Sequence, residues 1–333
     1  MGKLNAEELR RLIGCIRKDC RVIVPPMPGF DSGAHWLNGK CLVISTDPCI
    51  GVPWEWFGWL LIHYAASDVA LFGAKPEYCT INLLGPPSTR PETFYEVMRK
   101  TCQAAEELNM AIVTGHTGTY HGLSGILGVC TAYGVVNREK LITPGGAKPG
   151  DYILCVKPVG LELVVNFALA RKQLAESIFG VERTKALGCY VPMQSCVKEA
   201  LLLADTGGID AMHDATEGGL TAALNEMSEA SGVGFHVKLE SIPFAEEAFA
   251  LSRYFGLSER QMLSMSSTGT IIAAVKPEAK ERVEHFLMQN KIEAGIIGIF
   301  TDDGKRILIR KNKREPFPRK ADDPYEMILS AAL

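Results

Sequence analysis

The sequence contains no two cysteines separated by only two residues, although it has ten cysteines among 333 residues. Cys15 and Cys20, which lie near each other, have four residues between them, and no histidine follows them at the spacing of a zinc site. This pattern excludes a zinc finger or a thioredoxin-like redox pair. Cys130 and Cys155 lie in apolar runs, so we predict that they are buried, reduced thiols.

A membrane-spanning run and an excess of basic residues are also missing. The most apolar stretch, residues 54–74, is interrupted by Glu55, His63 and Asp68, which a membrane helix disfavours. The first 18 residues carry charges throughout and lack the apolar centre of a secretion signal. With 35 Lys and Arg against 38 Asp and Glu, a generally basic nucleic-acid binder is excluded. We therefore expect a cytoplasmic protein that binds neither membranes nor nucleic acids.

The length and the order of patterns indicate two domains. A chain of 333 residues is long for one compact domain, and 47% hydrophobic with 22% charged residues is a globular composition. Strand and helix patterns mix along both halves, which predicts an α/β (α+β) fold with one layered domain in each half. The turn-rich segment Leu141–Asp151 places the boundary near Pro149, giving domains 1–148 and 149–333.

Local patterns predict the elements of the first domain. Apolar spacing predicts a first helix over residues 6–18 and a second over 56–73. Residues 22–35, VIVPPMPGFDSGAH, are rich in Pro and Gly and are predicted to form no regular element. Buried strands are predicted over residues 41–47 and 111–116.

Four aspartates stand in settings where a carboxylate is costly to bury. Asp31 lies in the Gly/Pro segment, Asp47 ends an apolar strand, Asp68 interrupts an apolar helix and Asp214 precedes two glycines. A buried carboxylate needs a cation, a cap or a metal ion as its partner. Mg²⁺ takes such oxygen ligands and bridges them to phosphate, so the repetition favours a metal–nucleotide site.

Each aspartate also has a structural alternative. Asp47 stands before Pro48 and fits an Asx turn, and Asp68 could pair with Lys75 one to two turns later. Taken singly, these structural roles are the better interpretation. Only the four aspartates together shift the balance toward a metal site.

Two glycine-rich segments are candidates for binding phosphate. In His213–Gly219, HDATEGG, Thr216 could cap the following helix, and the glycines could turn its amide groups toward an anion. The segment Val113–Gly125, VTGHTGTYHGLSG, reads as a strand that enters a polar loop containing His116 and His121. The second segment matches neither a P-loop nor a dinucleotide fingerprint. The alternatives are an ordinary capped loop with a Gly-Gly turn for the first segment and merely polar loop histidines for the second.

The order of four motifs resembles a known superfamily. They are STDP (Ser45–Pro48), SDVALFGAKP (Ser67–Pro76), VTGHT (Val113–Thr117) and HDATEGGL (His213–Leu220). Together they resemble the aminoimidazole ribonucleotide (AIR) synthetase superfamily, with the hydrogenase maturation protein HypE branch the most similar. The resemblance spans about residues 29–310.

The resemblance implies a fold and a type of chemistry. Members of the superfamily are homodimers of two α/β domains, and their N-terminal domains join in a β-barrel at the dimer interface. ATP lies between the domains and is held through Mg²⁺ by aspartates. The shared chemistry is phosphoryl transfer from ATP to a carbonyl, amide or phosphate oxygen, in which the protein mainly positions reactants and neutralises charge.

The matching motifs imply roles for individual residues. Asp47 and Asp68 would hold the metal ion. Asp214 and His116 would be catalytic, with Asp214 in the loop that faces the acceptor. The remaining residues implied in binding nucleotide or acceptor are Asp31, Thr114, Gly115, Thr117, Thr216, Gly218 and Gly219.

The sequence departs from the superfamily at three places. Phe30 stands where a second acidic residue is usual, and His116 stands where an aspartate is usual. The hydrogenase maturation proteins end in a reacting cysteine, whereas residues 328–333 read ILSAAL, so we expect no self-modifying dehydration in its usual form. The leading hypothesis is ATP-dependent activation of a small or carbamoyl-type acceptor, with a maturation protein as a further partner. The alternatives are a non-catalytic nucleotide-binding dimer and a kinase resembling thiamine-monophosphate kinase.

Overall fold

The computed structural model describes Leu4 and residues 6–330 of the chain. Residues 14–141 form one compact unit, while helix α1 (Ala6–Ile13) and residues 142–330 form the other. Each unit holds one mixed sheet with helices, which confirms the predicted α/β class. The predicted limits 1–148 and 149–333 remain predictions. No helix in the described part of the chain is long and apolar enough to cross a membrane.

The sheet of the first unit has six strands among the described residues. They are β1 (Val22–Val24), β2 (Ser32–Leu37), β3 (Lys40–Cys49), β4 (Tyr78–Gly85), β5 (Ala111–Thr119) and β6 (Leu127–Val136). Their order is β1-β2-β3-β6-β4-β5. The β4–β5 pair is parallel and the other pairs are antiparallel.

Helix α2 (Phe57–Leu71) packs on this sheet, and α3 (Pro91–Glu107) packs on α2. Asp68 is the single Asp, Glu, Lys or Arg residue of α2, and 13 residues of the helix are buried, as expected for a helix that is largely apolar all round. Gly58 allows the close approach of α3, because a Cβ there would lie 2.6 Å from the Val97 carbonyl oxygen.

The prediction that residues 22–35 form no regular element is wrong, because they contain β1 and most of β2. Strand β2 pairs with β3 from Ser32–Ser45 to Leu37–Lys40. Asn38 and Gly39 between them both have positive φ, at 49° and 80°. An Asn-Gly pair with this geometry closes a tight hairpin, so the hairpin signal lay just beyond the Pro-rich segment.

The strand predicted over residues 111–116 is present but is not buried. Strand β5 continues to Thr119, and most of its residues are exposed, Val113 at 57%. The physical reason is its place at the edge of the sheet, where β4 is its only neighbour within the described unit. An apolar strand pattern does not reveal whether a strand is central or lateral.

The second unit contains a seven-stranded sheet among its described residues, in the order β13-β12-β9-β11-β7-β10-β8, with only the β9–β12 pair parallel. Its strands are β7 (Tyr152–Val156), β8 (Ile209–Ala215), β9 (Gly234–Lys238), β10 (Ser267–Val275), β11 (Ala294–Thr301), β12 (Arg306–Arg310) and β13 (Lys313–Pro316). Its helices after α1 are α4 (Leu161–Ala170), α5 (Lys172–Phe179), α6 (Val181–Leu187), α7 (Val197–Asp205), α8 (Gly219–Ser231), α9 (Glu246–Phe255), α10 (Glu259–Leu263), α11 (Lys280–Gln289) and α12 (Tyr325–Ser330).

The last described segment, residues 317–330, is fixed to the second unit at both ends. Phe317 is 2% exposed and packs on Phe235 with ring centroids 5.0 Å apart. Ile328 is fully buried in the apolar cluster that contains Phe167 of α4. The segment is therefore part of the folded core rather than a loose tail.

Candidate functional site

Asp68 meets a hydrogen-bonding partner on the sheet of the first unit. Its Oδ2 lies 2.7 Å from the Ser45 Oγ, and Asp68 and Ser45 are 6% and 2% exposed. The same Ser45 Oγ lies 3.1 Å from the backbone carbonyl oxygen of Asp31. One hydroxyl thus links three parts of the predicted site, namely α2, β3 and the segment before β2.

Asp47 lies on the same side of β3 as Ser45. The two residues are two positions apart in a strand with regular pairing to β6, and side chains two apart point to the same face. Cys49, two residues further on, contacts the Phe57 carbonyl of α2 at 3.7 Å, so this face is the one that α2 covers. Burial, with a smaller contribution from the Asp47 charge, raises the pKa of the Cys49 thiol.

The donor groups on this face fit Mg²⁺. Two carboxylates, from Asp47 and Asp68, and the Ser45 hydroxyl offer only oxygen atoms, which is the ligand type that Mg²⁺ prefers. Burial raises the pKa of the nearby Cys49 thiol, so the thiolate form that a metal ion binds is disfavoured there. The metal roles of the two aspartates remain predictions.

The predicted phosphate-binding residues lie on β5, apart from this face. Thr46 of β3 is followed across the sheet by Thr131 of β6, Thr80 of β4 and Thr114 of β5. Three strand spacings separate β3 from β5, which is about 14 Å. Within the first unit, Thr114, Gly115 and Thr117 are therefore not adjacent to Asp47, and their nucleotide-binding role stays a prediction.

The two residues that depart from the superfamily pattern have structural contacts of their own. Phe30 packs edge-on against Phe72, a 2% exposed residue, with ring centroids 6.3 Å apart. His116 is exposed on β5, with its Nε2 2.6 Å from the Tyr120 hydroxyl. Aromatic packing and a local hydrogen bond thus stand where the superfamily usually has carboxylates.

The HDATEGG segment joins β8 to α8 in the second unit. Helix α8 begins at Gly219, and Gly218 occupies the cap position with a φ of 79°. The prediction that Thr216 caps the helix is wrong, because a glycine holds that position; Thr216 instead accepts the Gly219 N–H through its carbonyl, at 2.9 Å. Positive φ favours glycine, so the backbone requires Gly218 here.

Asp323 occupies the place predicted for an anion. Its Oδ2 accepts the Gly218 N–H at 2.9 Å and the Ser266 hydroxyl at 2.5 Å, and its Oδ1 accepts the Tyr325 N–H at 3.0 Å. A carboxylate at the N-terminus of a helix is favourable. No local sequence pattern marks Asp323, because its partner Gly218 is 105 positions away in the chain.

His213 lies between two carboxylates. Its Nε2 is 2.8 Å from an oxygen of Glu226 on α8, and its Nδ1 is 3.3 Å from an oxygen of Asp214. His213 and Asp214 are 2% and 4% exposed. The predicted catalytic Asp214 is therefore held by its own neighbour in the chain, and that neighbour is held by α8.

Glu162, in the first turn of α4, is a second carboxyl of the unit that sequence reasoning missed. Its Oε2 accepts the backbone N–H of Thr268 at 3.2 Å and the Thr268 hydroxyl at 2.6 Å. Burial raises the pKa of Glu162 to about 7 against the opposing effect of these hydrogen bonds, and the charges of Asp323 and Glu217 raise it further. The carboxyl thus changes its protonation state near neutral pH.

Comparison with known proteins places these features in a family. The N-terminal domain of AIR synthase related protein matches residues 18–136, and the C-terminal domain of AIR synthase related protein matches residues 148–311. A putative hydrogenase expression/formation protein of Methanocaldococcus jannaschii is 29% identical over 285 residues, covering 84% of this chain and 82% of the relative. The carbamoyl dehydratase HypE of Azotobacter vinelandii is 28% identical over 275 residues, covering 80% and 77%.

A solved structure of hydrogenase maturation protein HypE in complex with ATP has the same fold. It superposes with a TM-score of 0.72 at 21% identity and covers 89% of each chain. The two domain matches together span most of the sequence, in the order of the four motifs. The chain therefore belongs to the AIR synthase related protein family, which confirms the resemblance drawn from its motifs.

Proposed function

We propose that this protein is an enzyme that uses ATP to activate a small, carbamoyl-type acceptor by phosphoryl transfer. The observation that supports it most strongly concerns the buried Asp68 of α2. Its carboxylate accepts a hydrogen bond from Ser45, on the face of β3 that also carries Asp47. A relative is named a carbamoyl dehydratase and a structural neighbour was solved with ATP. Family membership and an oxygen-ligand set of buried Asp68 and Ser45 with half-buried Asp47 support the same reaction class.

In this proposal each unit has its own task. Asp47 and Asp68 would hold Mg²⁺, which neutralises the charge of the ATP phosphates when bound. Asp214 would hold the acceptor oxygen in line for transfer, where it acts through position and charge. The phosphate contacts of Thr114, Gly115 and Thr117 stay predictions of the resemblance, because β5 lies about 14 Å from β3 in the same unit, and Asp31 would face the nucleotide.

A non-catalytic nucleotide-binding protein is the second candidate. The favouring observation is that Phe30 and His116, which replace family carboxylates, are engaged with Phe72 and Tyr120. Two fewer carboxylates would weaken metal binding and leave nucleotide binding without turnover. A kinase resembling thiamine-monophosphate kinase would differ from both candidates because it releases a phosphorylated acceptor as its product.

ADP formation with Mg²⁺-ATP separates these functions. The assay pairs ATP with an S-carbamoyl cysteine amide, a simple primary carboxamide and thiamine monophosphate, with acceptor-free ATP as the control. Acceptor-dependent ADP release with a carbamoyl compound is the expected result. Binding of ATP without ADP release on any acceptor would favour the non-catalytic candidate, and a phosphorylated thiamine product would favour the kinase.

We further propose that the protein is a homodimer joined through the open face of the first sheet. The face opposite α2 carries partly exposed or exposed apolar side chains that alternate with buried ones, and the Tyr78 and Tyr133 rings stack on it at 5.6 Å. A second copy is the occupant that the family's barrel implies. The apolar members of this face are Leu42, Ile44, Tyr78, Val129, Tyr133 and Val135.

Tyr78→Lys should convert the dimer to a monomer, because it places a charge on the face that pairs. Light scattering coupled to gel filtration measures the mass directly. The matched control is Tyr95→Lys on α3, where the side chain is 77% exposed. A monomeric unsubstituted protein, or a Tyr78→Lys protein that stays dimeric, would contradict this interface.

A further inference from the structure

Glu226 and Asp214 both face the His213 ring, one at each nitrogen, at 2.8 and 3.3 Å. A neutral imidazole carries one N–H, so it donates to one carboxylate only. An ionised carboxylate accepts hydrogen bonds and does not donate them. With both carboxylates ionised, both contacts are satisfied at once only when His213 is an imidazolium ion.

The contact between His213 and Asp214 is unusual for a strand. Successive side chains of a regular strand point to opposite faces, yet these two lie within hydrogen-bonding distance. It occurs where the pairing of β8 with β10 shifts, between Asp214 and Ala215. The irregular end of β8 thus turns the Asp214 carboxylate toward the ring.

Glu226 provides the link to the helix. It lies on α8, whose first residue is Gly219 of the HDATEGG segment, and its side chain is 34% exposed, whereas the side chains of His213 and Asp214 are 3% and 5% exposed. A buried cation between two anions is much more stable than a buried cation beside one.

We propose that Glu226 is a positioning residue for the acceptor: it keeps His213 charged, and charged His213 fixes the Asp214 carboxylate. This inference rests on the proposed function, in which Asp214 faces the acceptor. Loss of the Glu226 charge would leave His213 neutral and let Asp214 rotate. Asp214 would still present a carboxylate, but the orientation of that carboxylate would no longer be fixed.

The first test reads the protonation of His213 without any turnover. The two-bond nitrogen–proton NMR spectrum of ¹⁵N-histidine-labelled protein at pH 7.5 distinguishes an imidazolium from a neutral ring, and His213→Asn assigns the signal. We expect two protonated nitrogens in the unsubstituted protein and one in Glu226→Gln. A neutral His213 in the unsubstituted protein, or an imidazolium that persists in Glu226→Gln, would overturn the proposal.

The second test measures turnover. Glu226→Gln should lower kcat about 10–100-fold, the range expected for a misplaced group, with the KM for ATP unchanged, and Glu226→Asp should restore part of the rate because it keeps the charge. Glu229→Gln, one turn further on α8 and 56% exposed, is the matched control. Normal kcat in a Glu226→Gln protein with a neutral His213 rejects the positioning role. Absence of turnover in the unsubstituted protein rejects the proposed function instead, and the NMR result still decides the state of His213.

Discussion

Replacing Asp68 with asparagine should weaken the binding of Mg²⁺-ATP by about tenfold or more, which corresponds to about 1.4 kcal/mol. Asparagine has nearly the same shape and can still accept a hydrogen bond from Ser45, whose Oγ lies 2.7 Å from the Asp68 carboxylate. What it lacks is the negative charge that a hard cation requires. Isothermal calorimetry with ATP and Mg²⁺ measures the change.

Comparing ATP binding with and without Mg²⁺ makes this test specific for Asp68 as a metal ligand. Binding of ATP without Mg²⁺ should be unchanged or slightly stronger in Asp68→Asn, because one negative charge near the phosphates is gone. Asp19→Asn is the control in the same unit, since the Asp19 side chain is 38% exposed and pairs with Arg21. Equal Mg²⁺-ATP affinity of Asp68→Asn and the unsubstituted protein would remove Asp68 from the metal site.

The second large effect concerns stability against pH and centres on Glu162. Its pKa is about 7 in the folded protein, mainly because burial disfavours the charged form, against 4.5 as the ordinary value. Between these values the unfolded chain releases a proton that the folded protein keeps, so the free energy of unfolding falls as the pH rises through this window. The loss amounts to about 3 kcal/mol between pH 4.5 and 8.

Glu162→Gln should remove this loss. The difference in the free energy of unfolding, variant minus unsubstituted protein, should rise by about 3 kcal/mol between pH 4.5 and pH 8. Any effect of the substitution that does not depend on pH cancels in this comparison. Glu246→Gln is the control, because Glu246 also lies in the first turn of a helix, α9, but is exposed. An identical pH dependence of the Glu162→Gln and unsubstituted proteins would contradict the assignment.

The two units can be followed separately in this experiment. All four tryptophans, Trp36, Trp54, Trp56 and Trp59, lie in residues 14–141, whereas Glu162 lies in the other unit. Circular dichroism in the far ultraviolet reports both units, and tryptophan fluorescence reports the first. The pH effect of Glu162→Gln should therefore appear in circular dichroism, and the tryptophan signal shows whether the first unit unfolds in the same transition.

Residues whose burial costs free energy could be recognised from the sequence. Asp68 was recognisable because a carboxylate interrupts an apolar helix, and the structure supplies Ser45 as its partner. The glycines of HDATEGG were recognisable as a turn, and Gly218 does have a positive φ of 79°. Both signals are local, since they depend on a residue and its immediate neighbours in the chain.

The features that sequence reasoning missed depend on distant partners. Asp323 was unremarkable in a polar segment, and only folding brings it to Gly218. Glu226 appeared as one of many helix glutamates until His213 was placed 2.8 Å away. The exposure of β5 follows from its lateral position in the sheet, which is a property of topology rather than of the strand's own residues.

The lateral position of β5 has a consequence for handling the protein in solution. Its nine residues, AIVTGHTGT, contain no proline and no lysine, arginine, aspartate or glutamate, which are the residues that commonly keep an edge strand from joining foreign chains. A row of backbone donors and acceptors without such protection is a template for aggregation. A preparation that is to remain dispersed at high concentration would therefore need added charge along β5.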